Sequence, residues 1–168
     1  MLRHFTPQQP VAYRLTELLS PAERSFFGVL TQAAGEDWRV FAKVRIADVL
    51  TPQKGLSRSR WQSAFNAISA KHFDFVLCDP ADCAVKLAVE LDDKSHAKAN
   101  RRKRDRLVEA ACESGGLPLL RVRAARAYQI AEIRNQIQDL IMPKPDPDHL
   151  PGSVSARGDR REPTFGPM

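Results

Sequence analysis

Val85-Lys86-Leu87-Ala88-Val89-Glu90-Leu91-Asp92, residues 85–92, is the stretch on which the reading of the fold turns. In an extended strand Val85, Leu87, Val89 and Leu91 share one face, and Lys86, Ala88, Glu90 and Asp92 share the other. The first face predicts core. The second carries two carboxylates in i, i+2 register, which repel each other unless a cation lies close by. A hard divalent ion, Mg2+ or Mn2+, suits such oxygen ligands and keeps room for water and phosphate oxygens.

Upstream lies a second β-rich run, His72–Cys78, separated from the first by Asp79-Pro80-Ala81-Asp82, which has turn chemistry. An antiparallel hairpin is expected. Phe73, Phe75 and Leu77 alternate with Asp74, Val76 and Cys78, so Asp74 is expected away from the aromatic face and beside Glu90 or Asp92. Asp74, Glu90 and Asp92 together make a candidate metal site, able to activate water and neutralise charge during phosphodiester hydrolysis. The plain alternative is a set of strand-end acids in ion pairs with Lys71, Lys86 or Lys94. His96, four residues after Asp92, reads as a general base or phosphate contact; otherwise it is a solvated histidine at a helix start.

Further out, Ser20-Pro21-Ala22-Glu23 has the pattern of a capping box, and Ala22, Phe26, Val29, Leu30 and Ala33 follow at helical spacing up to Gly35. From Trp38 to Ile46 the period is two. Trp38, Val40, Ala42, Val44 and Ile46 would face inward, and Arg39, Phe41, Lys43 and Arg45 outward as a mostly basic strip. Trp61, Ala64, Phe65 and Ile68 mark an inserted helix starting near Ser57 or Ser59. Downstream, a helix is expected from about residue 97 to 114, then Gly115-Gly116, a strand Leu117–Val122, and a helix carrying Ile130, Ile133, Ile137, Leu140 and Ile141 that Pro143 stops.

This order predicts an α/β fold with a four-stranded mixed sheet flanked by helices in a three-layer sandwich. An antiparallel meander would be joined by a fourth strand parallel to one of its members. Residues 1–19 read as a leader and residues 20–142 as the domain. Residues 143–168 read as a disordered tail, since they hold six of the 12 prolines.

With 168 residues and 43% hydrophobic content the chain suits one core, with no room for a second full domain. Nothing resembles a signal peptide or a membrane span, so a cytosolic protein with no membrane partner is expected. Cys78, Cys83 and Cys112 form no CxxC pair and are expected to be reduced and packed in the interior. The net charge of +6 falls entirely within residues 1–142, because the tail holds four basic and four acidic side chains. A basic domain attracts polyanions. Arg101-Arg102-Lys103-Arg104-Asp105-Arg106 offers phosphate contacts or simply a solvated helix face. Arg39, Lys43 and Arg45 would touch nucleic-acid backbone rather than bases.

Glu90-Leu91-Asp92-Asp93-Lys94-Ser95-His96, then Arg104-Asp105, then Gly116-Leu117-Pro118-Leu119-Leu120-Arg121, form a recognisable series. With residues 18–26 and 68–77, this series resembles the domain of unknown function 2726 family over about residues 18–140. That family is itself similar to the very-short-patch-repair endonucleases and related PD-(D/E)XK domains of restriction-endonuclease-like fold. The resemblance implies that Asp74 and Glu90 bind metal, that Asp92 stands where the motif has lysine, and that His96 replaces that lysine. Lys86, Lys71 or Lys94 could also supply the charge. Glu23 corresponds to an acid on the first helix that assists such sites, and Arg121 to an arginine facing the acids or a phosphate. The implied function is a Mg2+- or Mn2+-dependent DNA phosphodiesterase. An inactive nucleic-acid-binding module and a partner-binding module are the alternatives.

Overall fold

The structure, a computed structural model, describes residues 12–92 and 98–142, with side chains in the second stretch from Asp105 onward. The expected tail, most of the leader and His96 lie outside the described residues. Among the described residues no helix is long and apolar enough to cross a membrane.

Five helices and four strands follow in the order α1 (Pro21–Ala34), β1 (Arg39–Arg45), α2 (Ile46–Val49), α3 (Arg58–Ser69), β2 (His72–Cys78), β3 (Val85–Asp92), α4 (Lys98–Gly115), β4 (Leu119–Arg123) and α5 (Ile130–Ile141). The short α2 is the one element the hydrophobic pattern does not announce. The capping box at α1 forms as expected: the Glu23 amide donates to Ser20 Oγ at 3.3 Å, and the Ser20 amide donates to Glu23 Oε2 at 2.8 Å. Ser57 rather than Ser59 caps α3.

The sheet is open and mixed, in the order β1-β2-β3-β4. β1 pairs with β2 and β2 with β3 antiparallel, while β3 pairs with β4 in parallel. The turn between β2 and β3 is held by its aspartates, since Asp79 Oδ1 accepts from the Ala81 amide and Asp82 Oδ1 from the Ala84 amide. These Asx-type bonds give the backbone a local partner where the ladder ends.

Two apolar layers cover the two faces. Phe26, Leu30, Ile133 and Ile137 from α1 and α5 pack on Phe75, Leu77, Leu87, Val89, Leu91, Leu120 and Val122. On the other face Ile46, Ile68, Val108 and Cys112 pack on Phe73, Val76, Cys78 and Ala88. Arg134 ties α5 to α1, donating from Nε to the Ala33 carbonyl at 3.0 Å and from Nη2 to the Gln32 carbonyl at 3.1 Å. Those carbonyls lie at the α1 C-terminus, where intrahelical donors have run out.

Strict alternation fails at one rung. Along β1 and its two flanking residues, Trp38, Val40 and Ala42 pack on the α1/α5 side, whereas Val44 and Ile46 pack on the other. In β2, Phe75 and Leu77 lie with α1 and α5, but Phe73 joins Val76 and Cys78 across the sheet. The expected single aromatic face of β2 and single inward face of β1 are thus both corrected. The switch has a local cause: Lys43 adopts a left-handed backbone with φ 54, and it sits between the paired rungs Ala42↔Phe75 and Val44↔Phe73, across from Asp74. Such a conformation costs an L-residue about 1 kcal/mol.

Cysteine placement departs from expectation at one position. Cys78 and Cys112 are buried, but Cys83, with φ 59, is exposed beside the hairpin turn. All three are free thiols.

Candidate active site

Among the described residues, Asp74 and Glu90 are the two charged side chains that count as buried, each 8% exposed. β2 and β3 hold one register from Leu77↔Leu87 to Phe75↔Val89, after a shift between Leu77 and Cys78, and continuing that register by one step would set Asp74 opposite Glu90. There the ladder opens. The Leu91 amide donates to Asp74 Oδ2 at 3.0 Å, so a side-chain carboxylate takes a bond that strand pairing would otherwise supply. Apolar neighbours in both layers fix the two strands, and the carboxylates inherit that rigidity.

A cation reaches Asp74 from a direction the sequence did not suggest. Lys43 Nζ donates to Asp74 Oδ1 at 3.1 Å and to Glu23 Oε1 at 2.6 Å. Burial alone would lower the Lys43 pKa, but the bonds to Glu23 and Asp74 outweigh it and raise the value. Burial likewise would raise Glu23, yet the bond from Lys43 and the capping bonds with Ser20 hold it below the ordinary value. Glu23 therefore caps α1 with one oxygen and anchors the lysine with the other. An open cleft of about 580 Å³ lies beside these groups, lined by Leu18, Lys43, Ala70, Lys71, His72 and Asp74.

The continuous basic strip expected on β1 does not form. Lys43 is turned to the acids, and Arg45 is paired with Asp48. Lys86, a candidate for the missing positive charge, pairs instead with Asp79 at 3.8 Å, at the hairpin end of β3. It stands four residues from Glu90, about 13 Å along an extended strand. Lys71 Nζ donates to the Ala67 carbonyl at 2.5 Å and shares the cleft with Asp74. Lys94 and His96 lie outside the described residues. Arg101, Arg102, Lys103 and Arg104 fall within α4.

Asp92 is engaged elsewhere. Arg121 grips it with two bonds, Nε to Oδ2 at 3.1 Å and Nη2 to Oδ1 at 2.5 Å. The same guanidinium reaches Glu109 Oε1 at 2.7 Å and Asp105 Oδ2 at 3.5 Å. Asp105 and Glu109 are one helical turn apart on α4, so the fork of Arg121 joins β3, β4 and α4. The Asp92 bond outweighs the effect of burial and, with the charges of Asp92 and Asp105 and the bond to Glu109, raises the Arg121 pKa still further. On the other side of Glu90, burial and then the Glu90 charge push the Cys112 thiol up to about 11, so it stays protonated.

Among the described residues no group of three or more His, Cys, Asp or Glu side chains is placed to hold a metal ion. What the strands do bring together is a pair, Asp74 and Glu90, with Asp92 drawn aside by Arg121. A pair fits magnesium or manganese, which bind through one or two protein carboxylates and complete their shells with water and phosphate oxygens.

A family model described as "Protein of unknown function (DUF2726)" matches residues 15–141, from before α1 to the last residue of α5. No curated protein and no solved structure matches the chain.

Proposed function

The chain belongs to the DUF2726 family, and from that premise we propose that it is a metal-dependent DNA phosphodiesterase of restriction-endonuclease-like, PD-(D/E)XK fold. The observation that carries the reading is the buried Asp74–Glu90 pair at the point where β2 and β3 part. Two carboxylates withdrawn from water on adjacent strands are costly unless cations offset them. The similarity of the E-x-D-x-x-x-H spacing at Glu90, Asp92 and His96 to very-short-patch-repair endonucleases points the same way.

In this reading Asp74 and Glu90 hold Mg2+ or Mn2+, which when bound supplies an activated water and a counter-charge for the phosphate. Asp74 is held from two sides, by the Leu91 amide and by Lys43, so its orientation is set before any ligand arrives. Glu23 keeps Lys43 in place, and Lys43 carries the positive charge that Asp92 denies the motif position. Lys71 and His72 line the same cleft and offer contacts to a DNA backbone. His96 is the proposed base or phosphate contact. Arg101, Arg102, Lys103 and Arg104 are proposed phosphate contacts, and Asp92 with Arg121 sets the position of α4 beside the site.

Titrating Mn2+ calorimetrically into the wild type and Glu90→Ala tests the site before any substrate is known. Heat in the wild type that disappears in Glu90→Ala is expected; no heat in either would overturn the reading. Cleavage of single-stranded, duplex, nicked or branched DNA with Mg2+ or Mn2+, lost in Asp74→Ala, is the companion result.

One observation favours a second reading. Lys43 already neutralises Asp74, and Arg121 already occupies Asp92, as in a domain that binds nucleic acid without cutting it. Salt-sensitive DNA binding indifferent to EDTA, with no cleavage, distinguishes that case.

A further inference from the structure

α3 is a helix that the core barely uses. Of its residues Arg58–Ser69, Ile68 alone is buried. Trp61 and Phe65, which mark the helix in the sequence, stack on each other with ring centroids 5.2 Å apart and planes 9° from parallel. Trp61 remains 37% exposed. A stacked pair with an open outer ring can accept a third planar ring.

The segment that carries that ring has one sign of charge. Between Asp48 and Asp74 the chain has no acidic residue, and it has four basic ones, Lys54, Arg58, Arg60 and Lys71. Lys54, Arg58 and Arg60 are exposed and enter no ion pair among the described residues. Lys43, Arg45 and Arg121, by contrast, are each paired with carboxylates. The segment also leads to the candidate site. From Arg58 to Lys71 is about 20 Å at 1.5 Å per helical residue, and Lys71 lines the cleft that holds Asp74.

We propose that α3 and its preceding connector dock single-stranded DNA, Trp61 stacking on an unpaired base while Lys54, Arg58 and Arg60 hold flanking phosphates. Bases within a duplex already stack on one another and leave no face for Trp61, so an unpaired base is the matching occupant. The choice of DNA over RNA rests on the phosphodiesterase reading above. The stacking surface itself does not.

The test uses the full chain with Trp38→Phe, which leaves Trp61 as its one indole, titrated with dT15 in EDTA. Saturable quenching of Trp61 emission is expected, with none from a blunt duplex of the same length. In the chain carrying both native tryptophans, binding followed by anisotropy of a labelled dT15 should weaken about tenfold or more in Trp61→Ala and stay near wild type in Trp61→Phe. The Arg58→Ala/Arg60→Ala double variant should lower the salt slope of log K by about 1.4, roughly 0.7 for each phosphate no longer neutralised. Binding without quenching, unchanged binding in Trp61→Ala, or no binding at all would overturn the surface. Tighter binding of rU15 than of dT15 would overturn its assignment to DNA.

Hydrolysis of bis(p-nitrophenyl) phosphate with Mn2+ reads the acidic pair without needing a docked strand. It should be normal in Trp61→Ala and absent in Glu90→Gln, whereas Glu90→Gln should still quench with dT15. Quenching without hydrolysis in the wild type would sink the phosphodiesterase and leave the docking surface standing; hydrolysis without quenching would do the reverse.

Discussion

Two ionic clusters flank Glu90, and they solve the same problem differently. At the β1–β2 side a single ammonium, Lys43, lies between Glu23 and Asp74, with side chains 27%, 16% and 11% exposed. At the β4 side a guanidinium, Arg121, gathers Asp92, Asp105 and Glu109, and Glu109 is 51% exposed. The first cluster holds its acids where water reaches poorly. The second is a wetter bracket whose acids can turn outward when released. Charge count alone would rank Arg121 higher, since it serves three carboxylates against two. Solvent access reverses the order, because an abandoned carboxylate is costly in proportion to what it cannot recover from water.

The sharpest way to break this contrast is to remove each cation in turn. Lys43→Met should cost about 3 kcal/mol of unfolding free energy, read from the denaturant midpoint at unchanged slope, since it leaves two acids beside Glu90 without a counter-charge. A loss no larger than that of Arg121→Met would erase the distinction. Arg121→Met is expected to cost about 1 kcal/mol, the range for a partly solvated network.

Salt should separate the clusters further. Between 0.05 M and 0.5 M NaCl the effect of Arg121→Met should shrink while that of Lys43→Met stays nearly constant, because buried pairs are screened less.

The pH profile then bounds the Lys43 cluster from both sides. Glu23 is depressed in the folded protein, so its contribution is present above 4.5 and is lost as the pH falls through its lowered value. Lys43 is raised, so its contribution is present below 10.5 and is lost as the pH rises through its elevated value. The stability gap between wild type and Lys43→Met should be flat between those limits and narrow beyond each. At the small end, Asp48→Ala removes the partner of Arg45 in a pair that is 46% and 54% exposed, and no measurable change in Tm is expected.

Much of the framework was legible because it rests on local signals. Ser20 and Glu23 announced their capping box, Pro21 its helix start, and the alternation in residues 85–92 put Leu87, Val89 and Leu91 on one core face. The neighbourhood of Asp74 was legible only as Glu90 or Asp92, because a register shift between Leu77 and Cys78 separates the turn from the rungs that lead to Asp74. Lys43 was not legible. Its residue type gives no hint of a left-handed backbone, which glycine or asparagine would have signalled. Read by period two, it belonged with Arg39 and Arg45. Its partner Glu23 already had a sufficient role as a cap, so nothing pointed from α1 to β1. The destination of Asp92 was legible only in part: the resemblance had Arg121 facing the acids or a phosphate, but which acid it takes depends on parallel pairing of β3 with β4, where Glu90 and not Asp92 aligns with Arg121. The exposure of Trp61 was hidden for a related reason: helical spacing identifies a stripe but not how far along the helix burial extends.

The open sheet leaves β1 and β4 as its borders, and unpaired strand borders are templates for aggregation. β4 is short, Leu119–Arg123, and alternates Arg121 and Arg123 with its apolar residues. β1 is longer, but Lys43 breaks its regular backbone in the middle of Arg39–Arg45. An incoming chain therefore meets two short runs instead of one flat seven-residue edge. The twist that carries an ammonium to Asp74 also serves solubility: Lys43→Gly would relieve the backbone while removing the charge, and would leave β1 a more pliable edge for intermolecular pairing.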